Sequence, residues 1–170
     1  MRLEPLSERH LGAVAALLDD PDVLRFTRVP EPVPAGFERE WLARYEAARV
    51  DGSAEAFAAV DDDGGFLGLA LAPTIDSEAG EVELGYIVAP AARGRGVATW
   101  ILRELTDWAF RDAGAARIVL IIDVENGASA RVAERCGYTR EGVMRSMHLK
   151  PGVRIDAGLW SRLPGDQVAS

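Results

Sequence analysis

The segment YIVAPAARGRGVATWILRELTDWAF, from Tyr86 to Phe110, constrains the fold of this chain more than any other stretch. An apolar run ends at Pro90, turns through two glycines and two arginines, and resumes with a different period. From Gly96 to Asp112 the apolar residues Val97, Ile101, Leu102, Leu105, Trp108 and Ala109 mark one helical face. Arg103, Glu104, Asp107 and Arg111 mark the other. A strand, a short turn and an amphipathic helix therefore follow one another directly.

The remaining elements arrange themselves around that unit. RIVLIID, from Arg117 to Asp123, is a continuous apolar run and reads as a buried central strand. EAFAAV and FLGLALAP flank the turn DDDGG, the pattern of a β-hairpin. RLEPL supplies a first strand, and Ser7 then caps a helix carrying Leu11, Val14, Ala15, Leu17 and Leu18. A second helix over Phe37–Arg49 presents Phe37, Trp41 and Tyr45 every fourth residue. Between these two helices, DPDVLRFTRVPEPVPAG holds four prolines and reads as an extended, stiff loop. Ser129 to Arg135 suits a short helix closed by Gly137, and strands around Tyr138–Leu149 and Arg154–Leu163 complete the chain. Helices alternating with mostly antiparallel strands make a mixed α and β fold. One domain is expected over residues 1–170, with a loose tail from about residue 164.

Composition narrows the function. The 170 residues include 48% hydrophobic and 27% charged positions, those of one globular domain, and the net charge of −8 argues against nucleic acid as a partner. A single cysteine, Cys136, allows neither an internal disulfide nor a cysteine-based zinc site. His10 and His148 are far apart in sequence, so no metal is expected. The polar start MRLEPLSERH has no apolar signal region, and no run approaches the roughly 18 apolar residues of a membrane span. These features point to a cytoplasmic protein that uses no membrane.

The turn AARGRGVAT is the chemically distinctive element. Bare glycines let a ligand approach the backbone, unpaired N–H groups at a helix start attract anions, and Arg93 and Arg95 add full charges. Together they describe a pyrophosphate cradle. It is not a nucleotide P-loop, because Val97 and Ala98 follow Gly96 where Lys and Ser or Thr are required. The dinucleotide fingerprint is only half met by Gly94 and Gly96, since position 99 is Thr. An ordinary helix start with solvated arginines is the plainer alternative.

Arg93-x-x-Gly96-x-Ala98 resembles the R/Q-x-x-G-x-G/A signature of the GNAT N-acetyltransferases. Three further blocks continue the resemblance in order: WAF at 108–110, NGASARVAERCGY from Asn126, and EGVMR at 141–145. The set, spanning about residues 3 to 163, is similar to the RimJ/RimL-type branch of that family. The resemblance implies the GNAT fold. This is a mostly antiparallel mixed sheet of about seven strands, splayed at a cofactor slot and flanked by about four helices. Acetyl-CoA is then the co-substrate. Tyr86, Ile87 and Val88 hold the pantetheine arm and acetyl carbonyl, and Arg93, Gly94, Arg95, Gly96, Val97, Ala98 and Thr99 hold the pyrophosphate. Asn126, Ser129 and Arg131 line the far wall.

Acyl transfer to an amine needs a base, because an alkylamine with a pKa of about 10.4 is only roughly one part in a thousand neutral at pH 7. Glu83, on the strand flanking the slot, is the first choice, and His148 the second, where relatives acting on ribosomal proteins carry Glu. The carbonyl oxygen needs a donor, for which the Val88 N–H is suited. Many family members supply a proton to the thiol from a Tyr seven residues after the Asn; that position here is Ala133, leaving Ser129 as the candidate. The acceptor is a primary amine, either a protein N-terminus or a small cationic molecule, and the prolines and the Trp41–Tyr45 helix form the lip that selects it. A homodimer is compatible with this assignment. A non-catalytic acyl-CoA sensor and an enzyme using another short acyl group such as succinyl remain as alternatives.

Overall fold

Seven strands form one sheet in the computed structural model, which describes residues 1–166. Residues 167–170 of the expected tail lie outside the described residues. The strands are β1 (Arg2–Pro5), β2 (Glu55–Val60), β3 (Phe66–Asp76), β4 (Glu81–Val88), β5 (Arg117–Asp123), β6 (Thr139–Lys150) and β7 (Val153–Arg162). Their order across the sheet is β1-β2-β3-β4-β5-β7-β6, and only β4 and β5 run parallel. The crossover between these two is the long helix α4 (Val97–Arg111), as a parallel pair requires.

Alternation along the strands builds two cores, one on each face. On one face Val82 and Leu84 of β4 and Ile118, Leu120 and Ile122 of β5 pack against Val97, Ile101, Leu102 and Leu105 of α4. Fully burying each such leucine stabilises the fold by about 1.5–3 kcal/mol. On the other face Leu69, Leu71 and Ile87 meet α1 (Leu11–Leu17) and α3 (Phe37–Asp51), whose Trp41, Leu42 and Tyr45 are buried. The four-residue spacing in α3 stacks its rings, with Phe37 5.7 Å from Trp41 and Trp41 6.3 Å from Tyr45.

The chain has five α-helices among the described residues, one more than the sequence suggests. The extra one, α2 (Pro21–Phe26), lies inside the segment read as an extended loop. The correction has a local cause. Pro21 sits in the first turn, where its missing N–H costs nothing, and the Asp20 carboxylate accepts the Val23 N–H at 2.9 Å as N-cap. Prolines read as breakers at residues 30, 32 and 34, but at residue 21 a proline starts the helix.

The parallel pair is short. Glu81, Val82 and Glu83 face Arg117, Ile118 and Val119, and there the pairing stops. Beyond it β4 continues with β3, from Leu71↔Gly85 to Gly68↔Val88, while β5 continues with β7. A β-bulge marks the parting: between Leu71 and Thr74 two β3 residues, Ala72 and Pro73, oppose one β4 residue. Pro73 has no N–H for the ladder, and the extra residue bends the strand there. Gly68 holds the far end close, since a Cβ on it would collide with the Ile87 carbonyl oxygen.

At the closed end, polar side chains tie four strands together. Arg117 of β5 reaches Glu81 of β4 at 2.9 Å and both carboxylate oxygens of Glu141 on β6 at 2.7 Å each. The Ser161 hydroxyl of β7, between them, donates to Glu141 at 2.6 Å. The Arg117 guanidinium and then the Ser161 hydroxyl hold the Glu141 carboxyl down to about 2, from an ordinary 4.5. A depressed carboxyl pKa favours the folded state above the unfolded pKa and loses that stabilisation as pH falls through the folded one. Acid unfolding of the wild type therefore has a component between pH 4.5 and about 2 that Glu141→Gln lacks. Arg117→Ala lowers Tm at neutral pH by about 2–4 °C, since the pair is half-exposed but doubly bonded. Differential scanning calorimetry against pH checks both.

Candidate active site

The parted strands leave a cleft of about 1720 Å³, with Leu84–Val88 on one wall and Leu120–Asp123 on the other. One end opens on the turn before α4, and the other on α2, α3 and the β6–β7 hairpin.

At the first end the chain turns at Gly94 and Gly96, with φ of 72° and 78°, left-handed conformations that glycine adopts without a steric penalty. Gly96 is the N-cap of α4 and has no side chain to cap it. Among the described residues no backbone acceptor takes the N–H groups of Gly94 through Thr99. These donors stand at the positive end of a 15-residue helix. A Cβ on Gly94 or Gly96 meets nothing within 4 Å, so the cradle is open. It has the open space and free donors that a pyrophosphate needs.

The arginines of the turn behave differently from the charge count. Arg93 reaches away from the cradle to α2, 2.7 Å from Asp20 and 3.2 Å from Asp22, and its Nε donates to the Val88 carbonyl at 3.3 Å. Its own N–H is used by Pro90 O. The Arg93 guanidinium keeps the Asp20 carboxyl below the usual carboxylate range. Arg93 thus fastens α2 to the donor end of the cleft. Arg95 is exposed and does not line the cleft.

Backbone geometry assigns the β4 edge. The Ala89 N–H bonds to Leu67 of β3, and the Ile87 carbonyl faces Gly68 of β3. Successive residues alternate, so the N–H groups of Tyr86 and Val88 face the cleft. On the facing wall Asn126 is the N-cap of α5 (Gly127–Arg135), its Oδ1 accepting the Ser129 N–H at 3.0 Å. The residue that caps α5 is Asn126, not Ser129. Ser129 stands one turn into the helix and lines the cleft. Arg131 does not line it and lies over Gly127 of its own helix, whereas Arg135, unremarked in the sequence, does line it.

At the second end Glu83 and His148 both face the cleft. The Glu83 carboxylate is held by Arg28 at 2.7 Å. The His148 imidazole has its pKa lowered from the ordinary 6.5, first by burial and then by the Arg28 charge, with Lys150 adding to this and Asp123 opposing it. It is therefore predominantly neutral at pH 7 and able to accept a proton. Phe26, Phe37, Trp41 and Tyr45 give this end an aromatic lining. The Lys150 ammonium donates to the Leu24 carbonyl at 2.5 Å, joining the hairpin to α2. Arg28 and Lys150 carry no local sequence signal, because their partners lie 55 and 126 residues away.

Other conspicuous residues are structural. Cys136 is buried, its thiol donating to Thr99 O at 3.6 Å, and burial pushes its pKa up, away from nucleophilic use. His10 is buried against Glu4 at 2.9 Å. No cluster of His, Cys, Asp and Glu suited to a metal ion occurs among the described residues, and none of their helices is long and apolar enough to cross a membrane.

Comparison with known proteins agrees with this geometry. Residues 1–139 match the family model of the acetyltransferase (GNAT) domain. Spermidine N(1)-acetyltransferase of Escherichia coli K12 is 28% identical over 142 residues, covering 84% of this chain and 74% of that protein. The crystal structure of spermidine N-acetyltransferase from Vibrio cholerae, in complex with CoA and spermine, superposes with a TM-score of 0.86 at 23% identity, covering 97% of this chain and 96% of that one. RimL, the ribosomal L7/L12 alpha-N-protein acetyltransferase, superposes with the same TM-score of 0.86 at 21% identity, covering 95% and 88%. The chain belongs to the GNAT acetyltransferase family.

Proposed function

We propose that this protein moves the acetyl group of acetyl-CoA directly onto a primary amine, with no acyl-enzyme. The observation that carries this is the parting of β4 from β5 onto the uncapped start of α4. The separation exposes the Tyr86 and Val88 N–H groups along one edge and leads to free helix N–H groups at one end. The Val88 N–H donates to the carbonyl oxygen as charge develops on it. The N–H groups of Gly94 through Thr99 take the pyrophosphate. No buried or activated nucleophile is needed.

His148 takes the proton from the amine, in preference to Glu83. The imidazole is neutral at pH 7, whereas the carboxylate is engaged by Arg28 at 2.7 Å. Glu83 then fixes Arg28, and through it the charge beside His148.

The acceptor end supports an amine attached to an apolar body or a peptide N-terminus over a polyamine. A polycation needs open carboxylates. Here Glu83 is paired with Arg28 at 2.7 Å and Glu31 faces Lys150 at 3.8 Å. Arg44 lines the same end, with no carboxylate in ion-pair range among the described residues. The cytoplasm is the compartment in which we place the reaction.

The test is a thermal-shift titration with CoA, followed by mass spectrometry of an amine panel incubated with acetyl-CoA. Saturating CoA at about 100 times Kd raises the unfolding free energy by about 2.7 kcal/mol. A peptide N-terminus gains acetyl faster than spermidine. No shift with CoA overturns the donor site; faster transfer to spermidine overturns the acceptor preference.

A further inference from the structure

The cations Arg25, Arg28, Arg44 and Lys150 line the acceptor end of the cleft, and their partners differ. Arg25 is paired with Glu125 at 2.9 Å and Arg28 with Glu83 at 2.7 Å. Lys150 bonds to the Leu24 carbonyl, with Glu31 at 3.8 Å. Arg44 has no carboxylate in ion-pair range among the described residues. Glu40 stands one turn earlier on α3, at the spacing where helices commonly pair opposite charges, and even that pair is not formed. Arg135 of α5 is also unpaired there, but α5 packs with α4 on the other face of the sheet, beside the donor site.

Arg44 belongs to a stripe along α3. Phe37, Trp41, Tyr45 and Ala48 recur at helical spacing and all line the cleft. The stripe runs for about 16 Å, the reach of roughly four or five extended residues. Arg44 is its one charged member. That charge is felt within the wall: burial pushes the Tyr45 pKa up, and the Arg44 charge opposes it, with Glu83 and Arg28 also acting on the ring. Arg28 bears in turn on the His148 imidazole. A chain of neighbouring groups thus leads from His148 through Arg28 and Tyr45 to Arg44.

We propose that Arg44 is a specificity-determining residue that takes a carboxylate carried by the acceptor, a few bonds from the amine that His148 deprotonates. This rests on the acetyl-transfer reading above. The acceptor then bears both an amine and an acid, as an acidic side chain near a peptide N-terminus or as the carboxylate of a free amino acid. A guanidinium suits this task because its planar fork matches a carboxylate with two parallel hydrogen bonds. The rings of Phe37, Trp41 and Tyr45 beside it keep water away and strengthen the attraction. In a chain of net charge −8 the general surface repels an anion, so the recognition is local to this one cation.

Two matched pairs of acceptors test the proposal and distinguish the two sources. One is the peptide amide Ser-Glu-Ala-Ala against Ser-Gln-Ala-Ala; the other is alanine against alaninamide. The reading is the ratio of kcat/KM within each pair, in wild type and in Arg44→Gln. The variant lowers the ratio of acid to amide about tenfold in at least one pair, chiefly through KM, as loss of a charged hydrogen-bonding partner requires. A change in the peptide pair assigns the carboxylate to a polypeptide, and a change confined to the alanine pair assigns it to a free amino acid. Arg44→Glu goes further and makes Ser-Lys-Ala-Ala a better acceptor than Ser-Glu-Ala-Ala. A residue that only supports α3 predicts equal losses for both members of a pair, with the ratios unmoved. Unmoved ratios in both pairs overturn the proposal, and so does an Arg44→Glu variant that keeps the wild-type ratios. A wild type that acetylates no amine overturns the acetyl-transfer reading. Calorimetric binding of the N-acetylated members of each pair to CoA-loaded protein still decides the role of Arg44, since the acid binds tighter than its amide only where a cation receives it.

Discussion

Gly96→Trp leaves the protein folded and weakens CoA binding at least about 100-fold, as displacement of a pyrophosphate by an indole from its donors requires. Gly96 has φ of 78° and caps α4, and a Cβ there meets nothing within 4 Å. The folded state therefore bears only the left-handed backbone cost of about 1–2 kcal/mol, and Tm drops by a few degrees. Residue 96 lines the cleft, so an indole there competes with a pyrophosphate for the N–H groups of Gly94 through Thr99. Gly36 makes the control. It caps α3 with nearly the same geometry, φ of 77°, has the same free space, and lies outside the cleft. Gly36→Trp lowers Tm as much and leaves CoA affinity unchanged. Calorimetric titration of both variants separates strain from occupancy. Equal CoA affinity in Gly96→Trp and wild type would remove the turn from the donor site.

His148→Gln lowers kcat by about 10²–10⁴-fold, the range for loss of a positioned general base. The pH profile carries the assignment. In the wild type the acid limb of kcat/KM follows the imidazole, whose pKa lies below 6.5 because burial and the Arg28 charge disfavour the cation. Activity rises with pH through that value and is nearly full at pH 7. His148→Gln abolishes the limb. Arg28→Met moves it to higher pH, because removing a nearby cation eases protonation of the ring. If Glu83→Gln abolishes the limb while His148→Gln retains it, the two residues exchange roles.

Much of the fold was legible in residue patterns because those patterns report local physics. The period change at Pro90 placed the end of β4 and the start of α4 to within a residue, since side-chain burial follows backbone period. The DDDGG turn placed the β2–β3 hairpin because Gly64 takes the positive φ, 87°, that this turn requires. The extended reading of residues 20–36 missed α2 because proline count was weighed without proline position. Asp20 followed by Pro21 is a helix start in its own right.

The site divides along the same line. The cradle was readable, because its donors are main-chain groups exposed by a glycine-bounded helix start, and those are encoded within six residues. The direction of Arg93 was not, because Asp20 and Asp22 lie more than 70 residues earlier and compete for the same guanidinium. Nor was the ranking of the two candidate bases. Glu83 and His148 are both plausible by residue type, and Arg28, which binds one and tunes the other, is named by no motif.

The sequence by itself therefore determined the elements, the sheet-and-helix class and the glycine turn that opens α4, since propensity, period and glycine conformation act over a few residues. Only the tertiary structure decided where β4 parts from β5 and which charges are already neutralised. Those depend on a bulge two strands wide and on ion pairs closed across the whole chain, where distance along the sequence carries no information about distance in space.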